Sequence, residues 1–238
     1  MIPHTGFEIL RLKIDLHVHT YYSIDSLITP EELVFYARKR GLDGVAVADH
    51  DRLDGALKIS RESDFLIIPG MEITSLDGHI IGLNVQKPIP RGLTAEETVD
   101  RIHLAGGLAI ACHPANFFKA SLSNQVSSRF DAVEVINSSA IPFAYAVKQG
   151  ERIASHSSIA RVAGSDAHYG PEIGYAYTVV DAEPSVDEIV NAIRKGFCQP
   201  FGKAIPLASR LKRKFLVLRK RSKSAEKDTD DTGKRSDL

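Results

Sequence analysis

The feature that most constrains this chain is an alternation. Between residues 13 and 195, short apolar runs take turns with longer amphipathic stretches, the pattern of β/α units in which a crossover helix joins each strand to a parallel neighbour. The strand candidates are residues 13–19, 44–49, 65–73, 108–113, 132–137, 161–166 and 175–180, with a small hairpin partner at 79–85 after the third. These runs are nearly continuous in Val, Ile, Leu and Ala, as strands become when helices cover one face of a sheet and packed side chains fill the other. Seven such strands suit a barrel better than a sandwich.

The helices carry their own punctuation. Thr29-Pro30-Glu31-Glu32 supplies a capping hydroxyl, a proline at the first helical position and acids at the positive end of the helix dipole, and Gly41 follows the basic last turn. This predicts a helix over 30–40. Thr94 with Glu97 matches a capping box ahead of a stripe that Gly106-Gly107 stops, and Ser185 with Glu188 repeats the device.

With 238 residues, 43% hydrophobic and 25% charged, the chain is neither a disordered polymer nor a disulfide miniprotein. No apolar run approaches the roughly 20 residues of a spanning helix. The first residues lack a basic head followed by an apolar core, so a cytoplasmic protein with Cys112 and Cys198 reduced is expected. The balance of 30 basic and 30 acidic residues hides an asymmetry. Residues 209–238 hold eleven Lys or Arg against five acids, a net of six positive charges, so residues 1–208 carry six negative ones. The expected organisation is a barrel over 1–208 and a basic helical segment over 209–238. Within that segment residues 222–238 are polar and lack aromatics, a composition that predicts disorder.

Chemistry gathers at strand ends. Asp15-Leu16-His17-Val18-His19-Thr20 closes the first strand, and side chains two apart share a face, so His17 and His19 point together. The following strands end in Asp49-His50-Asp51, Gly70-Met71-Glu72, Cys112-His113-Pro114 and Ser165-Asp166-Ala167-His168. Each cluster falls at the C-terminal end of its strand, the end that builds active sites in parallel barrels. Six of the nine histidines, 17, 19, 50, 79, 113 and 168, take such places. Imidazoles and carboxylates converging from separate strands are the donor set of a divalent-metal site. Asn137 ends the fifth strand on the same opening and reads as a substrate contact or as a partner that orients a ligand. Lys119 reads as a phosphate contact or a solvated lysine. Cys112, by strand alternation, points away from His113 into aliphatic packing. His4, His103 and His156 read as bystanders.

Taken together, Asp15-x-His17-x-His19-Thr20, Asp49-His50, Gly70-x-Glu72, His79, Ala111-x-His113-Pro114 and Ser165-Asp166-Ala167-His168 resemble the motifs of the PHP (polymerase and histidinol phosphatase) family of metal-dependent phosphoesterases, in family order. The resemblance spans about residues 13–181 and implies an α/β fold, a distorted seven-stranded TIM-like barrel. It further implies two or three divalent ions (Mn, Zn or Fe). By similarity, one would be held by His17, His19, Glu72 and Asp166, a second by bridging Glu72 with His113 and His79, and a third by Asp25, His50 and His168. Tyr22-Ser23-Ile24-Asp25-Ser26 only approximates the family stretch around Asp25, and Ala48 stands where the family usually has Thr.

Paired cations about 3.5–4 Å apart lower the pKa of a shared water and neutralise phosphoryl charge. The reaction so implied is hydrolysis of a phosphomonoester or of a nucleotide or oligonucleotide end, with Glu72 central and either the third ion or His50 and His168 as acids stabilising the leaving oxygen. Histidinol phosphate is a second candidate substrate. A non-catalytic RNA- or protein-binding scaffold and a metal-dependent amidohydrolase are alternatives from other classes. The basic segment beyond residue 209 reads as a solvated amphipathic end, or as a weak contact for nucleic-acid phosphates or anionic lipid.

Overall fold

The computed structural model describes residues 10–115 and 121–233. Its strands are β1 Leu10–Val18, β2 Gly44–His50, β3 Leu66–Thr74, β4 His79–Leu83, β5 Leu108–Ala111, β6 Ala132–Asn137, β7 Ala160–Gly164, β8 Ala176–Ala182 and β9 Cys198–Gly202. The helices are α1 Pro30–Lys39, α2 Asp54–Glu62, α3 Ala95–Leu104, α4 Phe143–Ser157, α5 Val186–Arg194 and α6 Leu207–Gly233. Both expected capping boxes form: Thr29 and Thr94 accept from the backbone N–H of Glu32 and Glu97, whose carboxylates reach back. Ser185 caps α5 by accepting from the Glu188 N–H.

The strands make one sheet in the order β7-β6-β5-β4-β3-β2-β1-β8-β9. It curls until the end of β7 meets β1, through a parallel bridge of Val18 with Ala167 and bonds from His19 N to Ala167 O (3.0 Å) and Asp166 N to His17 O (2.8 Å). The α/β barrel expectation therefore holds, with nine strands among the described residues instead of seven. Three of them run antiparallel to their neighbours: β4 between β3 and β5, β8 against β1, and β9 against β8. Connection length explains this. A tight turn joins β3 to β4, and only one 3₁₀ turn, Gly170–Glu172, separates β7 from β8; a parallel crossover needs a dozen or more residues, usually a helix. β9 escaped the sequence reading because Pro200 interrupts it, a residue confined to strand edges and bulges.

Two apolar layers result. Leu12, Ile14, Ala46, Ile68, Ile110, Val162 and Val180 fill the barrel and meet Ile189, Val190 and Ile193 of α5. Val45, Val47, Ile67 and Met71 face outward against Leu33, Ile59, Val99, Ile102 and Ala154 of the surrounding helices. α5 closes the end where the parallel strands begin: Asp187 accepts from Asn84 Nδ2 (2.8 Å), and Arg194 reaches Asp131 (3.2 Å) and Gly107 O (3.0 Å). The opposite end stays open. α6 lies along that rim, with Arg210 donating to Ser138 O and Ser139 O (2.7 and 2.8 Å), Arg213 paired with buried Glu172 (2.9 Å) and Lys220 donating to Ser26 O (2.9 Å). α6 continues to Gly233, through residues whose composition led to an expectation of disorder. No helix among the described residues is long and apolar enough to cross a membrane.

Candidate metal centre

The open end is lined by groups delivered where strand regularity breaks. In β1 the register against β2 slips between Asp15 and Val18, so three steps on one strand oppose two on the other. Such a bulge lets adjacent residues share a side: Leu16 packs in the barrel interior and His17 also points there. A second slip in β6 lies between Glu134 and Ile136. His113 (φ 33°) and Asp166 (φ 54°) leave their strands in the left-handed region, which is sparsely populated by residues with a Cβ. At Gly164 a Cβ would stand 2.3 Å from the His17 Cβ, so only glycine lets β7 pass so close to that histidine.

Glu72, at the end of β3 and wholly buried, is the hub. Its Oε1 lies 2.9 Å from His79 Nδ1 and 2.9 Å from His113 Nε2, and accepts from Cys112 Sγ at 3.2 Å. Its Oε2 lies 3.0 Å from His50 Nδ1, 3.3 Å from His19 Nε2 and 3.5 Å from His17 Nε2. Asp166 Oδ1 stands 3.4 Å from His19 Nε2 and 3.8 Å from His17 Nε2. Asp25 Oδ2 meets His168 Nε2 at 3.2 Å and His50 Nε2 at 3.7 Å. All nine residues read as ligands thus come together around one opening. Asp25, the least regular by motif, is among them.

A family model described as PHP-associated matches residues 145–198. The uncharacterized protein MJ1587 of Methanocaldococcus jannaschii is 36% identical over 140 residues, 53% of this chain and 82% of the relative. The 5'-3' exoribonuclease of Haemophilus influenzae is 38% identical over 86 residues, 33% of this chain and 31% of the enzyme. A solved two-domain protein of Bacteroides vulgatus, containing a predicted PHP-like metal-dependent phosphoesterase, aligns with a TM-score of 0.67 at 18% identity, over 85% of this chain and 68% of its own. The chain belongs to the PHP family.

The donors of this PHP chain fit divalent cations. Glu72 Oε2 accepts no hydrogen bond of acceptable geometry although three imidazole nitrogens crowd it, and His17 Nε2 faces His19 Nε2 at 3.1 Å. Nitrogen lone pairs and a carboxylate aimed at a common point are what a cation holds together. Four groups of three side chains offer such ligand atoms: His17, His19 and Asp166; Glu72, Cys112 and His113; His50, Glu72 and His79; and His19, His50 and His168.

Behind the ligands stands a layer that the sequence reading missed. Glu134, 3% exposed, takes His17 Nδ1 on Oε1 (3.0 Å), and on Oε2 the His113 N–H (2.8 Å) and Asn137 Nδ2 (2.9 Å). Asp49 binds Thr20 and Ser23, and Asp15 accepts from the N–H groups of Ser165 (2.8 Å) and Gly174 (2.9 Å). The signal was available, since a carboxylate inside an apolar run is costly to bury without partners. Asn137, read as a substrate contact or as a partner that orients a ligand, spends its amide inside the protein on Glu134, Asp166 and the Ser139 N–H, the geometry of the second reading. Cys112 packs among the barrel's aliphatic side chains, as expected, yet it does not point away from His113: the left-handed turn at His113 lets both residues reach Glu72. Lys119 lies outside the described residues, as does His4. His103 pairs with Asp131 at the closed end, away from the ligands.

Electrostatics follow from burial and proximity. Burial opposes charge on His17, but the carboxylates of Glu134, Asp166 and Glu72 outweigh it and raise its pKa well above the ordinary value. Burial would raise the Glu72 pKa, yet the surrounding imidazoles hold it well below the usual carboxylate range. For His168, burial and the charge of His19 bring the pKa down to about 4, so its ring is neutral at pH 7. Burial and the charges of Glu72 and Glu134 push the Cys112 thiol well up, which keeps it a proton donor to Glu72.

Proposed function

We propose that this chain is a divalent-metal-dependent phosphoesterase that hydrolyses a phosphomonoester or the end of a nucleotide or oligonucleotide. The observation that carries this reading is the split of Glu72: one oxygen meets His79 and His113, the other His17, His19 and His50. A carboxylate so placed would serve two ions at once, the first with His17, His19 and Asp166, the second with His79 and His113. Asp25, His50 and His168 would hold a third. Bound ions of this kind, Mn²⁺, Zn²⁺ or Fe²⁺, supply an activated water and neutralise charge on phosphoryl oxygens.

The protein's own contribution is orientation and access. Glu134 keeps the proton of His17 on Nδ1 and leaves Nε2 as donor to an ion. His50 and Asp25 are the more exposed members, at 28% and 35% of their side chains, so substrate meets them first. The leaving oxygen would be stabilised by the third ion or, without that ion, by a proton from His50. Ile24, Leu76 and Ile141, on loops that follow β1, β3 and β6, are exposed near the opening and offer an apolar flank to a base. Between His113 and Asp166 lie 52 residues, and those described are used by β6, α4 and β7. The open mouth and the partial match to exoribonucleases favour a nucleotide or polymer end over histidinol phosphate.

The test is metal analysis of the purified chain, then phosphate release from histidinol phosphate, nucleoside bisphosphates and 5′-phosphorylated oligonucleotides with Mn²⁺, Zn²⁺ or Fe²⁺. Retained metal and metal-dependent release support the proposal. Retention of metal without turnover of any phosphate ester, with RNA binding that survives chelation, would favour a scaffold.

A further inference from the structure

We propose that the outer face of α6 docks on an anionic lipid surface and holds the rim of the metal site beside it. At 100° per residue, Leu207, Leu211, Phe215 and Leu218 fall within an arc of about 80°. They are 70, 60, 65 and 54% exposed. The opposite arc, with Arg210, Arg213 and Lys220, is the one pinned to the barrel. The apolar side therefore faces solvent because the polar side is anchored, the reverse of an ordinary surface helix. Four adjacent large apolar side chains form a patch of the kind that marks an interaction surface.

Charge selects the occupant. From residue 207 to residue 225 the sequence has eight Lys or Arg and no Asp or Glu. Lys214 borders the stripe on one side, Arg219 and Lys212 on the other, and all three are exposed. A second copy docking α6 against α6 would set like charges against like. Nucleic-acid phosphates reward cations and gain nothing from leucines, and Phe215 alone is no stacking series. An anionic bilayer rewards both, by burying the stripe at the headgroup boundary while flanking cations reach the phosphates. Arg210, Arg213 and Lys220 hold α6 to the loops after β6, β7 and β1, so docking would bring the ligand-bearing rim near the lipid surface.

The experiment is flotation of the full chain with phosphatidylcholine vesicles, alone and with phosphatidylglycerol, at two salt concentrations. Binding is expected only with the anionic lipid and should weaken with salt. Each cation near such a surface is worth about fivefold in partition, so K214E/R219E should lower binding by at least about 25-fold. L211D/F215D should abolish it while metal content, circular dichroism and oligomeric state stay as in the unaltered chain. No flotation of the unaltered chain would overturn the proposal. So would equal binding to both vesicles, concentration-dependent dimerisation lost in L211D/F215D, or RNA binding unaffected by L211D/F215D without vesicle binding.

Discussion

Replacing Glu134 by Gln separates orientation from coordination, because Glu134 touches no candidate ion position yet governs a histidine that does. Glu134 Oε2 accepts two donors, the His113 N–H at 2.8 Å and Asn137 Nδ2 at 2.9 Å. The oxygen of the new amide must stay there, which leaves its NH₂ facing His17 Nδ1, 3.0 Å away in the native pair. Nδ1 would then have to accept, and the ring proton would move to Nε2, the nitrogen 3.5 Å from Glu72 and 3.8 Å from Asp166. Loss of such an orienting partner costs about 10- to 100-fold in metal affinity, or about 1.4–2.7 kcal/mol. Competition of E134Q with a chromophoric chelator reads the affinity directly, and phosphate release at limiting and saturating metal should show a defect that excess metal largely rescues. Nitrogen NMR of His17 should report the shifted tautomer. Affinity within threefold of the unaltered protein would refute the tautomer argument.

Glu72→Gln should reduce turnover by several orders of magnitude and lower bound metal per chain, as measured by phosphate release and elemental analysis, because the shared charge between two donor groups is lost. In Gly164→Ala the new Cβ would meet the His17 Cβ at 2.3 Å and Glu134 Oε1 at 2.8 Å. Urea unfolding should show a loss of about 1–3 kcal/mol, together with weaker metal binding. Asp15 is buried, which pushes its pKa up to about 6 from 3.8 despite bonds from Ser165 and Gly174. The unfolded chain then binds fewer protons than the folded one between those values, so this group's contribution to stability falls as pH rises from about 4 to about 6, by up to about 3 kcal/mol. Denaturation curves at pH 4 and pH 7 should show that slope in the unaltered protein and its absence in Asp15→Asn.

Strand and helix positions were legible because each element's local signals agreed with its tertiary role. Residues 44–49 and 132–137 match β2 and β6 within one residue, and the caps at Thr29, Thr94 and Ser185 start their helices where the sequence places them. Strand direction was less legible, since an apolar run looks the same either way. For β8 a clue lay in the link before it: Gly170, Pro171 and Gly174 leave no room for a crossover helix. The basic segment read as a separate unit is tied to the barrel through Glu172, a buried acid held by Arg213 and Ser209, and nothing in residues 207–220 taken alone announces that partner.

The ligands were legible for a different reason. A histidine or carboxylate at the end of an apolar run is chemically conspicuous, so their identity could be read even where their geometry could not. On a regular strand adjacent side chains point to opposite faces, which turned Cys112 away from His113 and gave Glu134 no role. The structure departs from that rule where convergence is needed: bulges at residues 15–18 and 134–136, and left-handed turns at His113 and Asp166. Residues in such sparsely populated conformations cost about 1–3 kcal/mol each. They persist because Asp166 N donates to His17 O and His113 N to Glu134 Oε2. The strain and the bonds that hold it are properties of the closed barrel, formed only when β1, β6 and β7 meet, so no local stretch of sequence carries them.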